Sequence, residues 1–460
     1  MLHDAAVVIL AAGQGTRMKS RMAKVLHRAA GRTLLEHAIA AARRVASPER
    51  IFVVVGHQAE AVGALAARSG VGIIQQTEQL GTGHAVLCGQ EQLEGLGGQL
   101  VIFYGDCPMI RPQTLERVVE LQGQSEAAGA MATIEVPDPE GYGRIVRNGQ
   151  GDVAAIVEHK AASVEQRKIR EINPGVYCFD AGMFWKHVGE IRPDNPAGEY
   201  YLTDMIQILI RAGGRIAAWL VSDYSELTGI NNRLELADAD RVLRARKARQ
   251  LMLDGVTIEQ PETVSIDADV TVGQDTIVGP FVQLRGRTAV GENCRIGACS
   301  ILEDSQLGDK VEVSAFSSIA ESTLENGAHV GPFARIRMGA HLEADARVGN
   351  FVELKKTRLG KGSKAMHLAY LGDSTIGEKA NIGAGTITCN YDGKKKHSTV
   401  IGDGAFVGSN STLIAPVKIG AGAYVGAASV INQNVPDDTL AIGRARQVNK
   451  PGWTKRLKGD

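Results

Sequence analysis

Residues 266–302 read IDADVTVGQDTIVGPFVQLRGRTAVGENCRIGACSIL, and the aliphatic residues of this stretch decide the fold of half the chain. Ile266, Val272, Val278, Leu284, Val290, Ile296 and Leu302 follow one another at steps of six. Six is even, so each member falls on the same side of an extended chain. A helix turns every ~3.6 residues and cannot keep such a row on one face. Small residues follow the aliphatics, among them Gly273, Gly279, Gly291 and Gly297, where the backbone can turn tightly. The row continues through Leu307, Val313 and Ile319, then Leu324, Val330, Ile336, Leu342, Val348 and Leu354, each group joined to the last by a five-residue step. Leu359, Ala365, Leu371, Ile376, Ile382 and Ile387 come next, an insertion at Thr388–Thr399 interrupts, and Ile401, Val407, Leu413, Ile419, Val425 and Ile431 close it. This is the hexapeptide period of a parallel β-helix, in which each coil covers its neighbour's apolar edge. An ordinary β-sandwich has no reason to hold the period.

A chain of 460 residues exceeds one core, so further domains are expected. Lys plus Arg balance Asp plus Glu at 51 each, which argues against a nucleic-acid or membrane-surface partner. The six cysteines form no C-x-x-C pair. No signal peptide is read at the N-terminus, and no apolar run approaches the roughly 20 residues of a membrane span. A soluble, cytoplasmic protein with reduced thiols is expected.

Ahead of the repeats, apolar runs alternate with helical patterns. Residues 5–11 form a strand-like run that passes into Ala12-Gly13-Gln14-Gly15-Thr16-Arg17-Met18. A Gly-rich loop after a buried strand lets amides approach a phosphate, although such a Gly pair is as often only a tight turn. Met18 stands where a dinucleotide fingerprint needs its third Gly, and no Gly-Lys-Ser/Thr completes a Walker loop. Ile51–Val55 reads as a strand, 59–67 and 82–93 as helices, and Leu100–Tyr104 as a buried strand ending in Gly105-Asp106. The alternation predicts an open, doubly wound α/β sheet with its ligand beyond the carboxyl ends of the strands. Asp106 is placed there to hold Mg²⁺ against phosphates, or equally to cap the helix after Pro108. Strands are predicted at 129–136 and 175–179. The turns at Gly141-Tyr142-Gly143-Arg144, Glu158-His159-Lys160 and Asn173-Pro174-Gly175 fit a sugar pocket or plain surface turns. The expected boundaries are a first domain at 1–232, a linking helix at 233–253, and the β-helix with its tail at 254–460.

Leu10-Ala11-Ala12-Gly13-x-Gly15-Thr16-Arg17-Met18 with Lys24 resembles the sugar-phosphate nucleotidylyltransferase signature. Gln76, Gln79-Leu80-Gly81-Thr82-Gly83, Tyr104-Gly105-Asp106, Gly141-Tyr142-Gly143-Arg144 and the C-terminal array narrow it further. The whole chain resembles the bacterial bifunctional N-acetylglucosamine-1-phosphate uridylyltransferase / glucosamine-1-phosphate N-acetyltransferase family. Ala23 departs from that pattern, standing where the family usually has Pro before the Lys. The resemblance implies a Rossmann-like nucleotidylyltransferase domain followed by a left-handed β-helix, assembled as a homotrimer with acetyl sites between subunits. It further implies that Leu10, Ala11, Ala12, Gly13, Gln76, Gly81 and Thr82 hold uracil and ribose, with Tyr104 and Gly105 beside them. Arg17 and Lys24 would lie on the triphosphate of UTP. Gly141, Glu158 and Asn173 would bind the amino sugar of N-acetylglucosamine-1-phosphate, and Asp106 with Asn231 would hold Mg²⁺.

The repeats point to a second site. Ile336 and Leu354 are three steps of six apart, so Arg337 and Lys355, one past each, stack on successive coils roughly 4.8 Å apart as an outward cationic column. Such a column suits a phosphate. His367 lies on the adjoining face, a candidate base for a sugar amine or, taken alone, a surface residue. The segment Lys364-Ala365-Met366-His367-Leu368-Ala369-Tyr370 is similar to the family's acetyltransferase segment, which implies the catalytic role. By the same resemblance, Arg337, Lys355, Tyr370 and Asn381 bind glucosamine-1-phosphate. Ala384, Asn390, Tyr391, Ser409, Ala427 and Arg444 contact acetyl-CoA, and the insertion reaches a neighbouring subunit. A single-function nucleotidylyltransferase would lack the His367 and Asn390-Tyr391 segments. A non-catalytic scaffold would be expected to lose Arg17, Lys24 or Asp106, and all three are present.

Overall fold

A computed structural model describes residues 5–195 and 197–458. The chain divides into two compact units, one ending at Leu243 and the other beginning at Arg244.

In the first unit, Ala6–Leu10 pairs in parallel with Ile51–Val55 on one side and Gln99–Tyr104 on the other. Its side chains alternate as a buried central strand requires. Val7 and Ile9 enter one core with Leu35, Val62 and Leu115, while Ala6 and Val8 enter a second with Val86, Phe184 and Met205. Helices therefore cover both faces. The main path across the sheet runs Ile216–Val221, Gly129–Glu135, Glu171–Asp180, Gln99–Tyr104, Ala6–Leu10, Ile51–Val55, Gly72–Gln75. The sheet is mixed, since Glu171–Asp180 runs antiparallel to both Gln99–Tyr104 and Gly129–Glu135. That strand is entered from a hairpin, Arg144–Arg147 with Val153–Val157, and a one-turn helix, so no long crossover turns the chain round. The helix expected over 82–93 breaks into Thr82–Leu87 and Gln90–Leu93, because Gly89 packs its backbone against Ile74 where a Cβ would collide.

In the second unit, three parallel sheets of eleven, ten and nine short strands run side by side, each strand pairing with the next coil's equivalent. Ile266 lies opposite Leu284, Leu284 opposite Leu302, and Leu302 opposite Ile319. The hexapeptide row is the core of this left-handed β-helix, buried throughout except at two places. Val272 is partly covered, and Ile387 points outward, 45% exposed. Thr388 takes the inward place instead, opposite Leu413. Its hydroxyl accepts from the Gly372 amide at 2.8 Å and donates to the Gly372 carbonyl at 3.1 Å, so a polar residue sits in the row without an orphaned group. Each fully buried aliphatic contributes about 1.5–3 kcal/mol relative to exposure. Corner side chains tie coils together as well: Asp309 accepts from the Glu292 amide and Asn326 from the Asp309 amide.

The division between units falls inside the helix Arg233–Leu253. Leu236, Ala239, Val242 and Leu243 belong to a cluster of the first unit, and Ala248 and Leu251 to the core of the second. Among the described residues no helix is long and apolar enough to cross a membrane. The six cysteines are free thiols.

Candidate active sites

The strands Ala6–Leu10 and Gln99–Tyr104 end side by side, tied by the Gly105 amide donating to the Leu10 carbonyl at 2.9 Å. Beyond them opens a cavity of about 320 Å³ lined by Leu10, Ala11, Ala12, Gly13, Gln76, Gly81 and Thr82. A second cavity of about 710 Å³ is lined by Arg17, Gly141, Glu158, Asn173 and Asn231. Lys24, Thr82, Tyr104, Asp106 and Glu199 line both, so the two are compartments of one cleft. The loop after the first strand crosses Lys24 closely. Gly15 has φ +61° and a Cβ there would lie 2.6 Å from Lys24 Cβ, which only Gly permits. Similarly, Gly175 (φ +82°) lets the backbone lie against the Tyr104 ring, where a Cβ would overlap it.

Charge at the junction is arranged around Lys24. Its ammonium donates to Asp106 Oδ2 and, at 3.4 Å, to Asn231 Oδ1, while Arg17 donates to the same Asn231 oxygen at 2.7 Å. The Ile230 amide donates to the Asp106 carbonyl at 2.9 Å, which brings Asn231 across from the far end of the unit. Asp106 Oδ2 and Asn231 Oδ1 thus both face the Lys24 ammonium. Two hard oxygens beside a phosphate-sized space fit Mg²⁺, which takes few protein ligands and completes its shell with phosphates and water. Asp106 is not a cap: the next helix is Pro112–Gln124, with Arg111 at its N-cap position. Burial pushes the Glu158 carboxyl above its usual range, opposed by the Thr203 hydroxyl. Burial likewise raises the Tyr104 phenol and the Cys107 thiol, so both stay protonated beside Asp106.

On the β-helix, His367 is exposed opposite Asn350, and its Nδ1 lies 2.7 Å from Asn350 Oδ1. The amide oxygen can only accept, so this contact suits the tautomer with its proton on Nδ1 and its lone pair on Nε2. The Gly385 amide donates to the His367 carbonyl, the Asn410 amide to Ala384 and the Ala428 amide to Ser409. Ala384, Ser409 and Ala427 accordingly follow His367 along one corner of successive coils. Arg337 lies opposite Lys355 and pairs with Glu353 at 2.7 Å. Tyr370 lies opposite Glu353, and Asn381 opposite Lys364. Asn390 is buried, donating to Asp373 and standing 3.5 Å from the Tyr370 hydroxyl, while Tyr391 and Arg444 are exposed.

Two family models match the chain, a MobA-like NTP transferase domain over residues 7–169 and the bacterial transferase hexapeptide over 269–304 and 398–433. The Bifunctional protein GlmU of Solibacter usitatus (strain Ellin6076) is 58% identical over 452 residues, covering 98% of this chain and 97% of that protein. The Bifunctional protein GlmU of Koribacter versatilis (strain Ellin345) is 48% identical, covering 99% and 97%. That of Trichlorobacter lovleyi is also 48% identical, covering 97% of each. The chain belongs to the bifunctional GlmU family. Its nucleotidyltransferase unit and hexapeptide unit carry uridylyl transfer and acetyl transfer to glucosamine-1-phosphate, the steps that make UDP-N-acetylglucosamine.

Of the residues expected at the uridylyl site, all line the cleft except Gly105, which holds its two strands together. Sequence reasoning missed Glu199, Tyr201 and Thr203, which also line it. They come from a segment zipped to the Gly81 turn, with the Leu202 amide donating to Thr82 and the Tyr200 amide to Leu80. The run has neither helical nor strand periodicity, which leaves no signal to find it by. The outward cationic column needs correction. The register of Arg337 and Lys355 holds, but the Lys355 side chain is only 7% exposed and lies 3.7 Å from Asp373. Each cation already has a carboxylate neighbour, Glu353 or Asp373, because a bare pair of buried like charges is costly. Lys396, in the insertion, folds toward Lys355, and a hydrogen bond with that side chain, followed by its charge, lowers the Lys396 pKa.

Proposed function

We propose that the two sites work as follows. At the β-helix, Arg337, Lys355, Tyr370 and Asn381 hold the phosphate and ring of glucosamine-1-phosphate. Ala384, Asn390, Tyr391, Ser409, Ala427 and Arg444 line the groove for acetyl-CoA. His367 Nε2 takes the proton from the sugar amine as the amine attacks the thioester carbonyl, and the thiolate of CoA leaves. The Nδ1 contact with Asn350 supports this assignment, since it orients the ring and leaves Nε2 basic.

At the α/β unit, Leu10, Ala11, Ala12, Gly13, Gln76, Gly81 and Thr82 take the uracil and ribose of UTP. Gly141, Glu158 and Asn173 take N-acetylglucosamine-1-phosphate. The nucleophile is a phosphate oxygen, already ionised at pH 7, so no general base is required. Catalysis rests on positioning and on Arg17 and Lys24 neutralising charge as pyrophosphate leaves. Asp106 and Asn231 would hold Mg²⁺, which supplies further neutralisation when bound. The observation that carries this reading is the meeting of Lys24, Asp106 and Asn231 at the junction of the two compartments.

A homotrimer with acetyl sites between subunits would cover His367, Tyr391 and Arg444, which are exposed on the single chain. Free thiols fit a cytoplasmic setting. Paired assays test the scheme: CoA release with glucosamine-1-phosphate, and pyrophosphate release with UTP and the acetylated sugar phosphate. Sedimentation should give three times the 48.9 kDa chain mass. A monomer with full acetyl transfer would overturn the shared site.

A further inference from the structure

Arg144 is 1% exposed and is the largest fully buried side chain described. A guanidinium stays charged in proteins, so burying one is costly unless it is well partnered. Here no carboxylate pairs with it among the described residues. It donates instead to two neutral acceptors, the Tyr142 carbonyl and, at 3.2 Å, Nδ1 of His159. Its Nε has no acceptor. Since Arg144 only donates, His159 must present an unprotonated Nδ1.

The backbone register shows what this cation sits behind. Arg144 lies opposite Val157 on one neighbouring strand and Ile172 on the other. The next residues on those strands are Glu158 and Asn173, and the turn leading into Arg144 carries Gly141. The Asn173 amide donates to the Gly143 carbonyl at 2.9 Å, closing the ring. Three separate segments thus deliver the sugar compartment's wall around one buried guanidinium. Because its acceptors are neutral, Glu158 is left out of any ion pair with it and keeps its carboxylate for a ligand.

We propose that Arg144, acting through the Tyr142 carbonyl and His159, is the positioning residue of the sugar subsite and sets its affinity for the sugar phosphate. The proposal rests on the reading of Gly141, Glu158 and Asn173 as that subsite. The test is steady-state uridylyl transfer by the full chain, with UTP and N-acetylglucosamine-1-phosphate varied separately. Arg144→Lys, which cannot reach both acceptors, and His159→Leu, which removes one, should each raise KM for the sugar phosphate about tenfold. KM for UTP should stay within about twofold, which also reports that the unit is folded. His159→Gln, whose amide oxygen can accept from Arg144, should return KM to within about threefold of wild type. No change in KM for the sugar phosphate, an equal rise for both substrates, or a Gln variant as impaired as Leu would overturn the proposal. Failure of the wild-type chain to use this sugar phosphate would instead overturn the reading beneath it.

Discussion

Lys24 draws on oxygens from two distant parts of the chain, Asp106 and Asn231. Asp106→Ala removes the only carboxylate in that contact set and leaves Lys24 facing Arg17 across Asn231. Uridylyl transfer should fall by at least about 10²–10³, as for loss of one preorganised charge-stabilising group, while acetyl transfer in the same preparation is unchanged. Pyrophosphate release above a tenth of wild type would remove Asp106 from the mechanism. Ala23 offers a finer case. Its φ of −54° suits Pro, yet its amide donates to Gln58 Oε1 at 2.9 Å. Ala23→Pro would gain about 0.4–1 kcal/mol from a stiffer unfolded chain and lose a hydrogen bond of about 0.5–1.5 kcal/mol. The two nearly cancel, so the melting temperature should move by less than about 4 °C. KM for UTP should stay within about twofold; a tenfold drop would mean that Ala23 loosens Lys24. Asp106 was legible at the end of an apolar strand as one of two equal readings, and Lys24 only through the family resemblance. Lys355 was legible in register only: its burial depends on Asp373, whose approach no spacing announces.

The elements differ in how openly they declare themselves. The hexapeptide row is visible because every coil must fill the same inward place, and it fails at Ile387 only because Thr388, satisfied by Gly372, hides as a polar residue. Leu371, buried in that row, gives a direct check. Leu371→Ala should cost about 2–5 kcal/mol in the β-helix and reduce acetyl transfer on heating, with uridylyl transfer retained. Differential scanning calorimetry that shows both units melting earlier together would contradict this. The hairpin Arg144–Val157 was missed, since neither strand alternates cleanly. Asn173-Pro174-Gly175 looked like a turn but is an irregularity inside Glu171–Asp180, where the register shifts between Ile172 and Val176. Glu158 ends that hairpin with its carboxyl raised above the ordinary value of 4.5 by burial. A raised acid binds its proton more tightly when folded, so its ionisation lowers stability as pH rises through the folded value. Glu158→Gln should therefore melt higher than wild type at pH 7, with the gap closing as pH falls toward 4.5, and should bind sugar phosphate more weakly. A gap that is constant with pH would exclude the buried charge as its cause.

At the scale of the molecule, two units with separate cores each contain their own candidate site. The cleft of the first is built wholly from residues before Leu243, and His367 with its neighbours wholly from residues after Arg244. What the sequence could not give at this scale was the mixed sheet, because strand direction is set by connections whose lengths look alike on paper. The most direct test is therefore a crossed pair of variants, Asp106→Ala and His367→Ala, each assayed for both reactions. His367→Ala should lose CoA release by about 10²–10⁴ and keep pyrophosphate release, the mirror image of Asp106→Ala. If either folded variant lost both activities, or if His367→Ala went on releasing CoA at the wild-type rate, the two-site account would be contradicted.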